Sequence, residues 1–246
     1  MSWGEAGMGA LTRGTMARFD FDRVSRQYDD WYDGPVGRVY DRIEKRAVAE
    51  ALGSRPEGRR MLEIGCGTAH WAEFFSELGL EVFGVDLSLG MMRVAQSKGI
   101  ARARFALADA SSLPFPSSSF DVGCAITTLE FVSDAPAVLE ELARCVRPGG
   151  RIVVGVLNRV SLLAWLRRRR GSPVVREARL MTAGELLRLL AGLGDASVLS
   201  TALVLPWRGL LWLSRVLDAV GRILRLPVGD FLVGTVKLER SREVKE

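Results

Sequence analysis

Met61-Leu-Glu-Ile-Gly65-Cys-Gly67-Thr-Ala69 decides how this chain folds. The apolar run Arg60–Ile64 stops at two glycines one residue apart, and helical spacing begins at once over Ala69–Leu78. This order predicts a strand, a tight turn and a helix, because glycine lets the backbone turn sharply and lets a ligand approach it closely. Next comes Glu81–Val85, a second strand ended by Asp86, 19 residues after Gly67. A carboxylate at that point accepts hydrogen bonds from both hydroxyls of a ribose. Strand, glycine turn, helix, strand and acid together form a nucleoside-binding arrangement. The turn departs from the dinucleotide fingerprint Gly-x-Gly-x-x-Gly, since His70 stands where its third glycine would be. That lowers the case for an NAD-linked dehydrogenase.

Outward from the turn the alternation continues. Ser88 is a plausible N-cap for a helix running to about Lys98. Ala103–Leu107 and Phe120–Ile126 read as strands, Pro136–Val146 as a helix behind an Asp134 cap, and Arg151–Leu157 as a strand after Pro148-Gly149-Gly150. Strands alternating with helices predict βαβ units and a parallel sheet with right-handed crossovers. Val36–Leu52 precedes this block as a helix, and Thr182–Leu193 follows it. Ser197–Leu205 and Phe231–Leu238 are strands six and seven, with a helical segment, Trp207–Leu226, inserted between them.

The chain has 246 residues, is 48% hydrophobic and 26% charged, and carries a formal charge of +5. This composition excludes a disordered chain, a collagen and a small disulfide scaffold. Cys66, Cys124 and Cys145 are odd in number and lack Cys-x-x-Cys spacing, which argues against a disulfide framework and a metal site. Residues 1–18 are glycine-rich, lack the pattern of a signal peptide and read as a flexible leader. No uninterrupted run of about 18 apolar residues is present, so the expected location is cytoplasmic.

These residues resemble the class I S-adenosylmethionine-dependent methyltransferases, especially the type-11 domain of ubiquinone- and menaquinone-biosynthesis enzymes. Glu63-Ile-Gly65-Cys-Gly67-Thr-Ala69 is similar to the family's first motif, with Ala69 in place of its usual third glycine. Gly84-Val-Asp86-Leu-Ser88 with Met91-Met92 is similar to the second, and Ala108-Asp109-Ala110 with Leu113-Pro114-Phe115 to the third. Arg147-Pro148-Gly149-Gly150 resembles the turn before strand five, and Gln27-Tyr28-Asp29-Asp30-Trp31-Tyr32 a segment that often folds over cofactor and substrate.

The resemblance implies an α/β, Rossmann-like, doubly wound sheet of seven mostly parallel strands, the last antiparallel. It implies a single domain over 19–246: a helical cap at 19–53, a cofactor-binding core at 58–160, and substrate-side helices with the final strand pair at 161–246. It implies S-adenosylmethionine as cofactor. Gly65, Cys66 and Gly67 would wrap its methionine and ribose, with Glu63 nearby. Asp86 would take the ribose hydroxyls, Leu87 and Met91 the adenine, Asp109 and Ala110 the adenine edge, and Thr127 and Tyr28 the methionine end.

The sulfonium methyl is already activated, so a general base is needed only for an acceptor with a proton to lose. None is evident in the sequence; His70, the sole histidine, and Glu130 are weak candidates. The expected reaction is methyl transfer to a small molecule. An RNA or tRNA methyltransferase and a catalytically inactive cofactor-binding partner are the alternatives. Residues 158–226 hold 12 arginines against 4 acids, +8, while the remainder sums to −3. Within it lie Arg167–Arg170 and the amphipathic stretch Pro206–Leu226. A basic balance this local points away from a whole-surface nucleic-acid contact and toward an anionic or peripheral membrane contact through 162–226.

Overall fold

A computed structural model describes residues 20–54, 57–169, 176–205 and 207–239. The expected leader at 1–18 and Arg170 lie outside the described residues. Seven strands form one sheet: β1 (Arg60–Ile64), β2 (Glu81–Asp86), β3 (Ala103–Leu107), β4 (Phe120–Ile126), β5 (Val146–Leu157), β6 (Gly194–Thr201) and β7 (Phe231–Leu238). Their order is β3-β2-β1-β4-β5-β7-β6, parallel from β3 through β5, with β7 antiparallel to both neighbours. This is the doubly wound, Rossmann-like sheet expected.

Among the described residues the helices are α1 (Asp30–Asp33), α2 (Pro35–Leu52), α3 (His70–Glu77), α4 (Leu89–Ser97), α5 (Ala135–Cys145), α6 (Leu162–Arg169), α7 (Ala183–Ala191) and α8 (Ser214–Ile223), with 3₁₀ turns at Phe21–Arg23 and Arg208–Leu213. Successive strand residues face opposite sides. On one face Met61, Val122 and Cys124 pack with Tyr40, Ile43 and Val48 of α2 and Trp71 and Phe75 of α3. On the other, Leu62, Ile64 and Ala125 pack with Val138, Leu139 and Leu142 of α5 and Leu186 and Leu190 of α7. Pairing of β1 with both β2 and β4 makes the β1/β4 boundary the point where the strand order reverses. In such sheets the crevice outside the strands' carboxyl ends at that point is where ligands bind.

Three boundaries differ from the sequence reading. The sixth strand is Gly194–Thr201 rather than Ser197–Leu205. It ends because Ala202 adopts a φ of 60° and turns its N–H away from the ladder to Asp218 Oδ1 at 2.7 Å. The fifth begins at Val146 and crosses the Pro-Gly-Gly turn, where its register with β4 slips. The insertion at 207–226 is a 3₁₀ turn followed by α8 rather than one helix.

Helix α7 begins with a reciprocal cap: Glu185 N donates to Thr182 Oγ1, and Thr182 N to Glu185 Oε2 at 2.8 Å. Thr182→Ala removes half of it and is expected to cost about 1 kcal/mol. In a chain of this size that lowers Tm by about 2–4 °C, measurable by thermal melting.

Candidate functional site

The glycine turn after β1 is left-handed at three positions: Gly65 (φ 63°), Gly67 (φ 53°) and Ala69 (φ 66°). An L-residue in that region costs roughly 1–2 kcal/mol, which Ala69 bears and a glycine would not. At Gly65 an added Cβ would sit 2.3 Å from Thr128 Cγ2, so the β1 turn and the loop after β4 touch only because Gly65 has no side chain. Gly67 opens onto free space, its nearest neighbour being Met91 Sδ at 4.0 Å from an added Cβ. Asp86 holds the turn in place: its Oδ2 accepts from Gly67 N at 2.9 Å and its Oδ1 from Ser88 N at 2.8 Å. Burial pushes the Asp86 carboxyl above the usual range, and the N–H donors at Ser88, Gly67 and Leu87 draw it back.

Above the turn lies a cleft of about 770 Å³, open to solvent. Nine of the sequence-derived candidates line it together: Tyr28, Gly65, Gly67, Asp86, Leu87, Met91, Asp109, Ala110 and Thr127. Asp109, just beyond β3, is fixed by Ser111, whose N–H and hydroxyl both donate to its Oδ1. Thr127, just past β4, has a φ of 49° and donates its N–H to Gly155 O at 2.7 Å. Phe21, Ala108, Thr128, Phe131, Val132 and Val138 complete the lining.

Glu63 and Cys66 are not part of that lining. Cys66 is buried, with its Sγ packed toward Gly84, so only its backbone belongs to the turn. Glu63 is 2% exposed; among the described residues its Oε2 has no hydrogen-bond partner, and burial raises its pKa well above the carboxylate range.

His70 starts α3 and is not part of the cleft lining, with Nε2 2.6 Å from Asp41 Oδ1 and its ring stacked 3.6 Å from that of Tyr32. Glu130 is fully buried and accepts from Leu157 N at 2.7 Å; it too lies outside the cleft lining.

The segment before α2 closes over the site. Asp22 Oδ1 accepts from Ser88 Oγ and Gly90 N at the start of α4. Asp29 accepts from Thr68 Oγ1 at 2.6 Å and pairs with Lys98 at 2.7 Å. Phe21 lies edge-on to Phe131, centroids 4.9 Å apart. These contacts put Phe21 and Tyr28 into the roof of the cleft.

Beyond that roof is a second chamber, about 1300 Å³ including open solvent, sharing Phe21, Tyr28, Thr127 and Phe131 with the first. Its remaining walls include Trp31, Tyr32, Tyr40, Leu157 and Leu163, with three charged groups, Glu44, Arg167 and Asp230. Asp230 is committed, accepting from Tyr40 OH at 2.5 Å and Leu163 N at 3.0 Å. Arg167 lies over Trp31, 4.3 Å from the ring centroid. The run Arg167–Arg169 is therefore divided: Arg167 turns toward the chamber, and Arg168 and Arg169 are exposed. Burial, with help from Asp41, pushes the Glu44 carboxyl up to about 8, against the pull of Arg167.

Glu44 was missed by the sequence reading. The signal was present: it falls four residues after Tyr40 and four before Val48, a carboxylate on the stripe that α2 otherwise buries.

Residues 62–154 match the methyltransferase domain family. The chain is 30% identical over 183 residues to an uncharacterised protein of Methanocaldococcus jannaschii, covering 74% of this chain and 83% of that one. The chain belongs to the S-adenosylmethionine-dependent methyltransferases. S-adenosylmethionine is its cofactor, and the glycine cradle and the two carboxylates at the ends of β2 and β3 fit that molecule. A demethylmenaquinone methyltransferase of Beutenbergia cavernae is 39% identical over 134 residues, 54% of this chain and 55% of that one. The match thus spans little more than half the length of that relative. Among solved structures, a methyltransferase of Thermotoga maritima described as a possible histamine N-methyltransferase superposes with a TM-score of 0.69 at 25% identity, covering 89% of this chain and 98% of that one.

Burial pushes Glu130 up to about 7. Below the ordinary glutamate value of 4.5 both folded and unfolded chains hold its proton; between there and about 7 only the unfolded chain gives it up. Its contribution to stability is therefore complete at low pH and lost as pH rises through about 7, by on the order of 3 kcal/mol at most. Glu130→Gln is expected to flatten this dependence, gaining on the native protein from pH 5 to pH 8 in urea titrations.

Proposed function

We propose that this protein moves the methyl group of S-adenosylmethionine onto a small acceptor with a flat, largely apolar body and one ionisable O–H or N–H. The observation that supports this is the wall common to the two chambers: Phe21, Tyr28, Thr127 and Phe131 belong to both. The cleft over the glycine turn is assigned to the cofactor and the chamber beyond it to the acceptor. In this reading residues 19–53 are the cap, 58–160 the cofactor core and 161–246 the substrate side of one domain.

Bound in the cleft, S-adenosylmethionine supplies a methyl already activated by its sulfonium. Asp86 takes the ribose hydroxyls, because each of its oxygens keeps a lone pair after the Gly67 and Ser88 bonds. Asp109 would hold the adenine amino group, with Leu87, Met91, Ala108 and Ala110 as apolar lining of the same cleft. The clamped segment carrying Phe21 and Tyr28 excludes water and orients the acceptor. Orientation of this kind supplies on the order of 7–11 kcal/mol in favourable cases. Trp31, Tyr32 and Tyr40 offer faces to an aromatic or conjugated body. Glu44 accepts the acceptor's proton: with its carboxyl near 8, it is matched to a group that must be deprotonated close to neutral pH. Arg167, across the same chamber, stabilises the anion that forms.

Calorimetric titration with S-adenosylmethionine tests the first half. Asp86→Ala is expected to weaken binding by roughly 10- to 100-fold, the loss of hydrogen bonds to a charged group. Labelled methyl transfer into a small-molecule extract of the source organism tests the second, and absence of any labelled product contradicts the transferase reading. Glu44→Gln is expected to leave cofactor affinity intact and to lower turnover by about 10²–10⁴-fold. The native rate rises with pH through about 8, as the base form accumulates, and the variant loses that rise.

A further inference from the structure

Helix α8 is packed inside out. Its inward residues are Ser214, Asp218 and Gly221, all buried. Asp218 Oδ1 accepts from Thr201 Oγ1 at 2.8 Å and from Ala202 N at 2.7 Å, which anchors the helix to the end of β6 by polar contacts. Gly221 lets it settle onto Leu203, 3.2 Å from where a Cβ would stand. Most of its large apolar residues are left outside. Val216, Val220, Ile223 and Leu224 fall on one helical face and are all exposed, Ile223 by 79% and Leu224 by 62%. Trp212, in the 3₁₀ turn leading into the helix, is 74% exposed.

A helix that buries its polar face and exposes its apolar one lacks the usual gain from apolar burial, which a partner seated on that face supplies. The surrounding charge names the partner. Residues 207–228 contain four arginines and a single acid, and that acid is the buried Asp218. Arg215 and Arg225 are exposed, and Arg222 reaches Glu50 of α2. An exposed tryptophan, an aliphatic stripe and the exposed Arg215 and Arg225, on a segment whose own acid is buried, match an anionic bilayer surface. They match a second copy poorly, because a two-fold contact through this face would bring like charges together.

We propose that α8 and the turn before it form a peripheral membrane-docking surface, with Trp212, Val216, Val220, Ile223 and Leu224 entering the headgroup boundary of an anionic membrane. Among the described residues no helix is long and apolar enough to cross a membrane, so the contact lies in the interface plane. Helix α8 rests on α2, the same helix that carries Glu44 into the acceptor chamber.

Vesicle sedimentation of the full chain tests this independently of any methyl transfer. The probes are vesicles of phosphatidylcholine alone and of phosphatidylcholine with phosphatidylglycerol. The protein is expected to partition about tenfold or more into the mixed vesicles over the neutral ones, an advantage that declines as salt rises. Val216→Ser with Ile223→Ser is expected to cut partition by about tenfold or more, since each removes a side chain from the apolar contact. Arg215→Ser with Arg225→Ser is expected to cut it about tenfold. All four side chains face solvent, and unchanged circular dichroism and cofactor affinity confirm that the variants fold. Protein remaining in the supernatant with the mixed vesicles overturns the proposal. So does binding indifferent to Val216→Ser with Ile223→Ser, or light scattering showing that these substitutions split a dimer which does not sediment with vesicles.

Discussion

The hydrogen bond from Gly67 N to Asp86 Oδ2 joins the two features on which this protein is organised, the left-handed turn after β1 and the acid that ends β2. In this turn, with positive φ at Gly65, Gly67 and Ala69, backbone carbonyls take Cys66 N and Ala69 N, and Gly67 N finds its partner in a side chain. The carboxylate supplies that partner while keeping acceptor capacity for a ligand. On the other side the missing side chain of Gly65 admits Thr128, so the loop after β4 meets the turn at the reversal of strand order. The ends of β1, β2, β3 and β4 are thereby held around one cleft.

Closure of the cleft rests on side chains rather than on sheet. Asp22 and Asp29 reach Ser88, Gly90, Thr68 and Lys98, elements 39 to 69 residues later in the chain, and thereby position Phe21 and Tyr28. Ion pairs and hydrogen bonds at partly exposed positions are individually weak, so such a segment opens more readily than the core beneath it. That combination suits a cover which must admit a cofactor and an acceptor and then exclude water.

The buried carboxylates separate by their surroundings. Glu130 is tied to Leu157 N and stabilises the join between the loop after β4 and the end of β5. Asp230 is held by Tyr40 and Leu163. Glu44 shares their desolvation but has no such hydrogen bond among the described residues, and it faces open space. A carboxylate kept near neutral pKa at a cavity wall is equipped to exchange a proton, whereas one that accepts a backbone N–H in the packed interior is equipped to hold a loop.

Much of the fold was legible in the sequence, because period-2 apolar runs and glycine or proline stops are local signals. The β1 strand, the Ser88 cap, the Asp134 cap and β7 follow from a few adjacent residues each; Gly65, Gly67 and Asp86 follow from the strand–turn–helix–strand order, and the other cofactor-side candidates from the resemblance of their motifs to the family. Ala202 could not be read this way: its left-handed turn exists because Asp218, 16 residues away, takes its N–H. Glu44 could be read locally as a carboxylate on the buried stripe of α2, but its proton affinity depends on a chamber built by α1, α2, α6 and the loop before β7. The outward apolar face of α8 was visible as an amphipathic pattern, but hydrophobic periodicity states only that a helix has two faces. Which face turns inward was decided by the buried bonds of Asp218, an energy that exists only once distant segments are brought together.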